Sequence, residues 1–289
     1  MANGMLVRGV FRREALRFAY AETTELCRDG VLIHDADPVS AEVLCELLTS
    51  AALVSVLLDG EEKYSVALDY REGKAGRWLA DTDRFARVRA LPGNTRLAGE
   101  GDREAVFGQT AGIRVLKFAA GKILNSGECD VAMASPAQDL AMFFCLSDQV
   151  ETEIRCAQVF APDPASPVRF ACGMMLQALP DCDLAAFGQV RDRCETPEFH
   201  ALLADGAMPA GRKLRGLAGL IGLSGSPENF HRETEAGPVY HCGCTPETMK
   251  RALLTLGRDD LEKLFEERGE ARMECRFCRR KYVFKPGEV

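Results

Sequence analysis

The chain has 289 residues, 47% of them hydrophobic, which is enough for one large domain with a core and a smaller second domain. Its formal net charge of −7 repels phosphate backbones and anionic membrane surfaces, so we expect neither nucleic acid nor a membrane as a partner. No uninterrupted apolar run reaches the roughly 18 residues of a membrane span, and the amino terminus lacks the apolar segment of a secretory signal. These features predict a cytoplasmic protein.

Residues 1–182 are predicted to form an α+β domain with a mixed sheet, because strand and helix patterns interleave without a regular βαβ period. The predicted elements are a mostly buried helix over 41–58 capped by Ser40, strands over 64–70 and 113–119, a helix beginning at Ser135-Pro136, and strands over 152–160 and 168–179. Eight single cysteines lie between Cys27 and Cys194, mostly in apolar surroundings. We expect these eight to be buried free thiols.

Residues 183–235 differ in character, since short helical patterns alternate with glycine-rich stretches and aromatic residues are few. Such a segment forms helices but contributes little core of its own. We therefore predict a helical, metastable linker that needs neighbours to stay folded, and an ordinary helical connector is the alternative.

Residues 236–289 are predicted to form a small carboxy-terminal domain. Thr245-Pro246-Glu247 has the pattern of a capped helix start, and Gly257 that of a helix end. Asp259-Asp260 then open a second helix that ends near Gly269. Met273 to Phe284 resembles a hairpin whose turn lies at Cys275 to Cys278.

Two cysteine pairs in this last part carry the most specific chemistry of the sequence. His-Cys-Gly-Cys ends at Cys244, and Cys-Arg-Phe-Cys begins at Cys275 after thirty intervening residues. Zinc favours four thiolate or imidazole ligands in a tetrahedral shell, and two such pairs around two short helices match that requirement. We predict one zinc ion held by Cys242, Cys244, Cys275 and Cys278. His241 is a rival ligand, but four cysteines already close the shell.

The predicted zinc site also accounts for how so short a domain could fold. About fifty residues bury little apolar surface, and structural zinc adds roughly 10–16 kcal/mol of apparent binding free energy in small finger peptides. Arg272, Arg276, Arg279, Arg280 and Lys281 lie close to the second pair in sequence. They have three interpretations: tuning of thiolate reactivity, a solvated basic face, or a nucleic-acid patch, which the acidic chain disfavours.

These residues resemble the heat-shock protein 33 family of redox-regulated holdase chaperones. The resemblance is carried by Pro238-Val239, the CxC pair, Thr245-Pro246-Glu247, Leu256-Gly257, Leu261, the CxxC pair, Tyr282 and Phe284, and also by 135–149 and 173–180. It is highly specific in the last fifty residues and looser before about residue 130. Ser147-Asp148-Gln149 stands where the family has Ser-Glu-Gln, and 87–91 lacks an expected arginine-glycine pair. The chain therefore resembles a divergent member.

The resemblance implies a function. In that family oxidants convert the four thiolates to two disulfides, zinc leaves, and the zinc domain and linker lose structure, so that unfolding client proteins bind without ATP. Carried over, it implies the bridges Cys242–Cys244 and Cys275–Cys278, and a homodimer in the activated state. The same switch follows from chemistry, because thiolates react with oxidants and oxidised sulfur no longer binds zinc.

Two other functions fit the same residues. One is a constitutive, zinc-stabilised binding module without a redox switch. The other is an oxidoreductase that uses the CxxC pair, which is disfavoured because such a pair usually lies at a helix start next to a strand, whereas this one lies in a predicted hairpin. The four histidines are scattered and no nucleophile–base pair stands out, so we predict no catalytic residues and no enzyme activity.

Overall fold

The computed structural model describes residues 4–226 and 229–289 and confirms the α+β class. The chain divides into two compact units, one ending at Tyr240 and the other running from His241 to Val289. The predicted boundaries at 182 and 235 stay predictions. All twelve cysteines are free thiols, and of the eight in the first unit four are buried and four are partly exposed.

The first unit contains two sheets and seven helices within the described residues. Its strands are β1 (Met5–Phe11), β2 (Leu16–Glu22), β3 (Lys63–Tyr70), β4 (Gly76–Asp83), β5 (Arg87–Leu91), β6 (Ala111–Ala119), β7 (Lys122–Val131), β8 (Thr152–Phe160), β9 (Val168–Ala178), β10 (Phe230–Ala236) and β11 (Val239–Tyr240). Its helices are α1 (Thr24–His34), α2 (Pro38–Val54), α3 (Arg103–Phe107), α4 (Pro136–Leu146), α5 (Leu184–Cys194), α6 (Pro197–Ala204) and α7 (Ala210–Leu220).

The two sheets are almost entirely antiparallel. The first has the order β10-β1-β2-β9-β8, and the second has the order β11-β5-β4-β3-β6-β7. The one parallel pair in the described sheets joins β11 to β5. Strand β3 shows why the prediction for 64–70 is confirmed: Tyr64, Val66, Leu68 and Tyr70 alternate inward, so one face of the strand lies in the core.

Helix α2 is the centre of the larger core and contacts strands of both sheets. The predicted cap at Ser40 is wrong, because the helix begins at Pro38 and the Asp37 carboxylate accepts the Ser40 N–H at 2.8 Å. A carboxylate at the cap combined with proline at the first position starts the helix three residues earlier. The span Pro38–Leu57 is long and apolar enough to cross a membrane by length and composition, but 78% of its apolar 18-residue window is buried, which is typical of a core helix.

A second apolar core lies on the other face of the first sheet and is covered by α5, α6 and α7. Inward residues of β1, β2 and β9 meet apolar residues of these helices; the largest fully buried members are Phe11, Phe18, Tyr20, Phe187 and Phe199. The segment 183–235 contributes three helices and most of β10, a strand that the sequence does not predict. The helix at Ser135 and the strands over 152–160 and 168–179 are confirmed.

The carboxyl group of Glu46 on α2 is expected to make stability depend on pH. Burial raises the pKa of Glu46 to about 7, and the hydroxyl of Ser135, 2.9 Å away, and the charge of Arg103 only partly offset this. Since the folded pKa exceeds the unfolded one, the folded state loses stability as pH rises from about 4.5 through 7. Glu46→Gln should remove this loss and raise the free energy of unfolding at pH 8 by about 2 kcal/mol.

Urea unfolding of both proteins between pH 5 and pH 8 measures this effect. Glu42→Gln is the matched control, because Glu42 is exposed one turn earlier on the same helix. The difference between the Glu46 variant and the unsubstituted protein should grow with pH and then level off. A difference that is the same at pH 5 and pH 8 contradicts the assignment.

Candidate metal centre

The second unit is short and built from two helices and one hairpin. Its elements are α8 (Pro246–Leu253), a 3-10 turn (Leu254–Leu256), α9 (Arg258–Arg268), β12 (Ala271–Glu274) and β13 (Lys281–Phe284). The predicted helix start is confirmed, because the Thr245 hydroxyl accepts the Thr248 N–H and the Thr248 hydroxyl accepts the Thr245 N–H. Gly269 ends α9 in the left-handed conformation that favours glycine.

The four cysteine side chains of the two pairs converge in this unit. All four sulfur atoms lie within 4.8 Å of one another. Sγ of Cys242 is 3.7 Å from Sγ of Cys275, and Sγ of Cys244 is 3.4 Å from Sγ of Cys278. A tetrahedral zinc site with Zn–S bonds of about 2.3 Å places its sulfurs about 3.8 Å apart. The donor set and its spacing therefore fit one such ion.

Backbone hydrogen bonds shape the second pair into a tight turn between β12 and β13. Cys275 N–H donates to the Arg280 carbonyl at 2.9 Å, and Arg279 N–H donates to the Cys275 carbonyl at 2.8 Å. Arg279 has φ of +57°, a left-handed conformation that glycine usually occupies in such turns. The hairpin and its turn at Cys275 to Cys278 are thus as the sequence predicts.

Tyr282 is the polar neighbour of the cluster that sequence reasoning did not assign. Its hydroxyl lies 3.0 Å from Sγ of Cys244 and 3.2 Å from the Cys244 carbonyl oxygen. Its ring is buried beside Phe284, and both side chains point inward from β13. The alternation of aromatic residues along this strand was the signal in the sequence, but only the fold brings the hydroxyl to sulfur.

Two thiols of the cluster, Cys244 and Cys278, have pKa values shifted in opposite directions. Burial by itself raises the pKa of Cys244, but hydrogen bonds from Tyr282 and from the neighbouring thiols lower it to about 7. Burial, together with the hydrogen bonds to the other sulfurs, raises the pKa of Cys278 to about 12. Cys244 therefore loses its proton readily, whereas Cys278 keeps its proton at neutral pH. Four thiolates need a cation among them.

The basic residues around the second pair divide between two of the predicted roles. Arg272 pairs with Glu270 at 2.6 Å and Arg279 pairs with Glu274 at 3.0 Å, both at the exposed surface. The pKa of Arg280 is raised by its hydrogen bond to Tyr282 and by the nearby thiols. Arg280 therefore suits the tuning of thiolates, while Arg272 and Arg279 fit a solvated face.

His241 does not belong to the cluster. Its side chain is exposed, and the group of four metal-binding side chains in the described chain contains cysteines alone. Cys275 is 6% exposed and belongs to the apolar core of the unit, which has few other buried members: Leu253, Leu261, Ala271, Tyr282 and Phe284. The fold and the site define a two-unit protein in which a small unit built on four clustered cysteines, able to hold one metal ion, follows a larger α+β unit.

Comparison with known proteins identifies the group to which this arrangement belongs. The family model described as Hsp33 protein matches residues 4–285, and the chain belongs to that family. The 33 kDa chaperonin of Clostridium botulinum (strain Alaska E43 / Type E3) is 25% identical over 99% of this chain and 96% of the relative. The 33 kDa chaperonin of Bacillus subtilis (strain 168) is 24% identical over 98% of this chain and 96% of the relative.

A solved structure shares the fold. The crystal structure of the 33 kDa chaperonin (heat shock protein 33 homolog) of Thermotoga maritima matches with a TM-score of 0.81 at 23% sequence identity. The match covers 99% of this chain and 96% of that one, so it includes both units.

Proposed function

We propose that this protein is a redox-regulated, ATP-independent holdase chaperone that binds unfolding proteins after its cysteine cluster is oxidised. The observation that carries the proposal is the convergence of four sulfurs within 4.8 Å in a unit with a very small core. Cys242, Cys244, Cys275 and Cys278 would hold one zinc ion, which when bound keeps all four as thiolates and ties the two pairs together. Family membership supports the chaperone role.

Oxidation would remove the ligands that hold this unit. Each pair of thiolates gives up two electrons to form one disulfide, while one peroxide molecule takes up two electrons and two protons and becomes two waters. All the sulfurs of the cluster are mutually close, so their distances do not select one pairing. The pairings Cys242–Cys244 and Cys275–Cys278 are those that the family resemblance implies. With its ligands consumed, the unit keeps only its small apolar core, and we propose that it unfolds.

The covering of the first sheet by α5–α7 supports the next step, the exposure of apolar surface. Helix α7 contains Gly211, Gly216 and Gly219, which lower its helix propensity. Lys213 on the same helix is fully buried, and its Nζ donates to the Leu203 carbonyl at 3.2 Å. Burial lowers the pKa of Lys213 because the charged form is disfavoured away from water. A charged lysine held there therefore weakens the packing of α7. We propose that these helices are the metastable element that detaches.

Peroxide titration of the reduced, zinc-loaded protein tests this function. Zinc release is followed with a chromogenic chelator, helix content by circular dichroism, and holdase activity by the aggregation of a heat-denatured client. We expect zinc release, loss of helix and suppression of aggregation to appear together. Cys182→Ala serves as control, because Cys182 is a partly exposed thiol of the first unit and should leave all three responses unchanged.

Other outcomes identify the alternatives. If client binding is the same before and after zinc loss, the site is a constitutive structural element. If the reduced protein turns over a disulfide substrate, the CxxC pair is catalytic; its position in a hairpin turn, away from any helix start, argues against that result. We also propose that the protein is cytoplasmic and that it forms a homodimer when activated. Sedimentation of the oxidised protein measures whether the dimer forms.

A further inference from the structure

The two-residue strand β11 covers an edge of the second sheet. Val239 and Tyr240 pair in parallel with Arg87 and Val88 of β5, and Val239 N–H donates to the Ala86 carbonyl at 3.1 Å. Among the described residues, β5 has β4 on its other side and β11 alone on this one. An uncovered strand edge is a template for pairing with another extended chain, so this edge is closed by very few atoms.

The side chain of Tyr240 extends this cover beyond the backbone pairs. Its hydroxyl donates to the Ala90 carbonyl at 3.1 Å and accepts the Ala90 N–H at 3.4 Å. The same hydroxyl lies 3.1 Å from Nε2 of His34. A side chain thus occupies the backbone groups of β5 that a longer strand would pair.

The ring of Tyr240 fills an apolar space beside this edge. It lies over Gly30 of α1, where a side-chain carbon added to the glycine would be 3.6 Å from the ring and close to Leu44 and Leu48. The ring packs against the larger core although it is only partly buried. Withdrawal of Tyr240 would leave both an open strand edge and a space suited to an aromatic side chain.

The covering strand follows a close backbone contact in the chain and directly precedes the cysteine cluster. Upstream, Gly237 lies so close to the backbone of Gly4 that an added side-chain carbon would be 2.0 Å from the Gly4 carbonyl oxygen. Downstream, Cys242 of the cysteine cluster follows Tyr240 by two residues. If residues 241–289 unfold, the chain after β11 no longer enters a folded unit, and β11 keeps its few hydrogen bonds, the ring contacts of Tyr240 and the upstream contact of Gly237.

The edge itself stays formed without β11. Asp83 accepts the Phe85 N–H at 3.0 Å and the Arg87 N–H at 3.2 Å, and its carboxylate binds the Arg87 guanidinium at 2.7 Å. These bonds fix the turn from β4 into β5, and the antiparallel ladder of β4 with β5 continues to Leu91. The acceptor and donor groups of β5 therefore remain in register for a new strand.

We propose that the β5 edge is a docking site for an extended segment of an unfolding client, which adds to the sheet in place of β11 and places an aromatic side chain where Tyr240 lies. The occupant is inferred from β11 itself, which shows that this site accepts extended backbone with an aromatic residue. The inference rests on the proposed function, because it requires the second unit to release β11 on oxidation.

Hydrogen exchange of the full-length protein tests the proposal, with the Ala90 amide as reporter and the amides of β3, which lies between β4 and β6, as internal reference. Oxidation should speed exchange at Ala90 at least tenfold, and bound client should slow it again by a similar factor. The reference amides should change in neither step. The proposal is overturned if client binds and the Ala90 amide still exchanges as fast as it does without client. It is also overturned if the Ala90 amide stays protected after zinc is lost.

A peptide pair gives a second, independent measurement. The blocked peptide with the sequence of residues 237–241 should compete with client on the oxidised protein. The same peptide methylated on the nitrogen of its valine cannot donate the bond that Ala86 accepts, and should compete at least tenfold more weakly. Equal competition by the two peptides overturns strand addition at this edge.

The same experiments distinguish failure of the holdase function from failure of docking at the β5 edge. If the oxidised protein neither releases zinc nor binds client, the holdase function fails and docking at the edge fails with it. If client is bound but the Ala90 amide and the peptide pair give the contrary results, the holdase function stands and the edge is not the docking site.

Discussion

Replacing Cys275 with alanine is expected to abolish metal binding and to leave the protein active toward clients without any oxidant. Cys275 is the buried member of the cluster and packs in the core of the second unit, so its loss removes both a ligand and apolar contact. Structural zinc contributes about 10–16 kcal/mol of apparent binding free energy in small peptides, far more than this core supplies. The unit from His241 onward should therefore unfold in the reduced variant.

Three measurements on the reduced variant check this expectation: zinc content, helix content, and suppression of client aggregation before any peroxide is added. The zinc content should fall from one ion per chain toward zero, helix content should fall by the contribution of α8 and α9, and aggregation should be suppressed at once. Cys182→Ala is the control that keeps the cluster complete. A variant that loses its zinc and its helices but binds no client would show that unfolding of the second unit is insufficient for activity.

The candidate site was predictable from the sequence because its chemistry is local. CxC and CxxC each bring two sulfurs together within a few residues, and the helix signals at Thr245 and Gly269 fix the length between them. Tyr282 could not be assigned in the same way, since its contact with Cys244 crosses thirty-eight positions of chain. A hydroxyl that modifies a thiolate has no spacing rule of its own.

Helices and strands were predictable where one face of the element is buried. Prediction failed where contacts with other elements determine the structure. The alternation over 64–70 and the cap at Ser135 suffice for β3 and α4. The cap of α2 at Asp37 was missed because Ser40 and Asp37 are both residue types that cap helices well. In the fold it is the Asp37 side chain that accepts the Ser40 N–H. Strand β11 has only two residues, and its partner β5 lies about 150 positions earlier, so no local pattern indicates it.

Replacing Phe199 with alanine is expected to activate the protein by a different route that leaves the cysteine cluster intact. Phe199 on α6 is fully buried in the second core, which the helices α5–α7 form with the first sheet. Removal of a buried phenylalanine side chain costs about 3–5 kcal/mol, and here the loss falls on helices that already contain the buried Lys213. Local unfolding of α6 and α7 should become frequent while zinc stays bound.

The measurement is client aggregation in the presence of the reduced, zinc-loaded variant, with proteolysis of α6 and α7 followed in parallel. Leu184→Ala is the matched control, since Leu184 on α5 is 59% exposed and its truncation should change neither readout. Client binding without oxidation would assign holdase activity to the sheet face beneath these helices, independently of the β5 edge. If α6 and α7 are readily cleaved but client binding still requires peroxide, exposure of that sheet face is not sufficient for activity. Client binding would then depend on the surfaces released when the second unit unfolds.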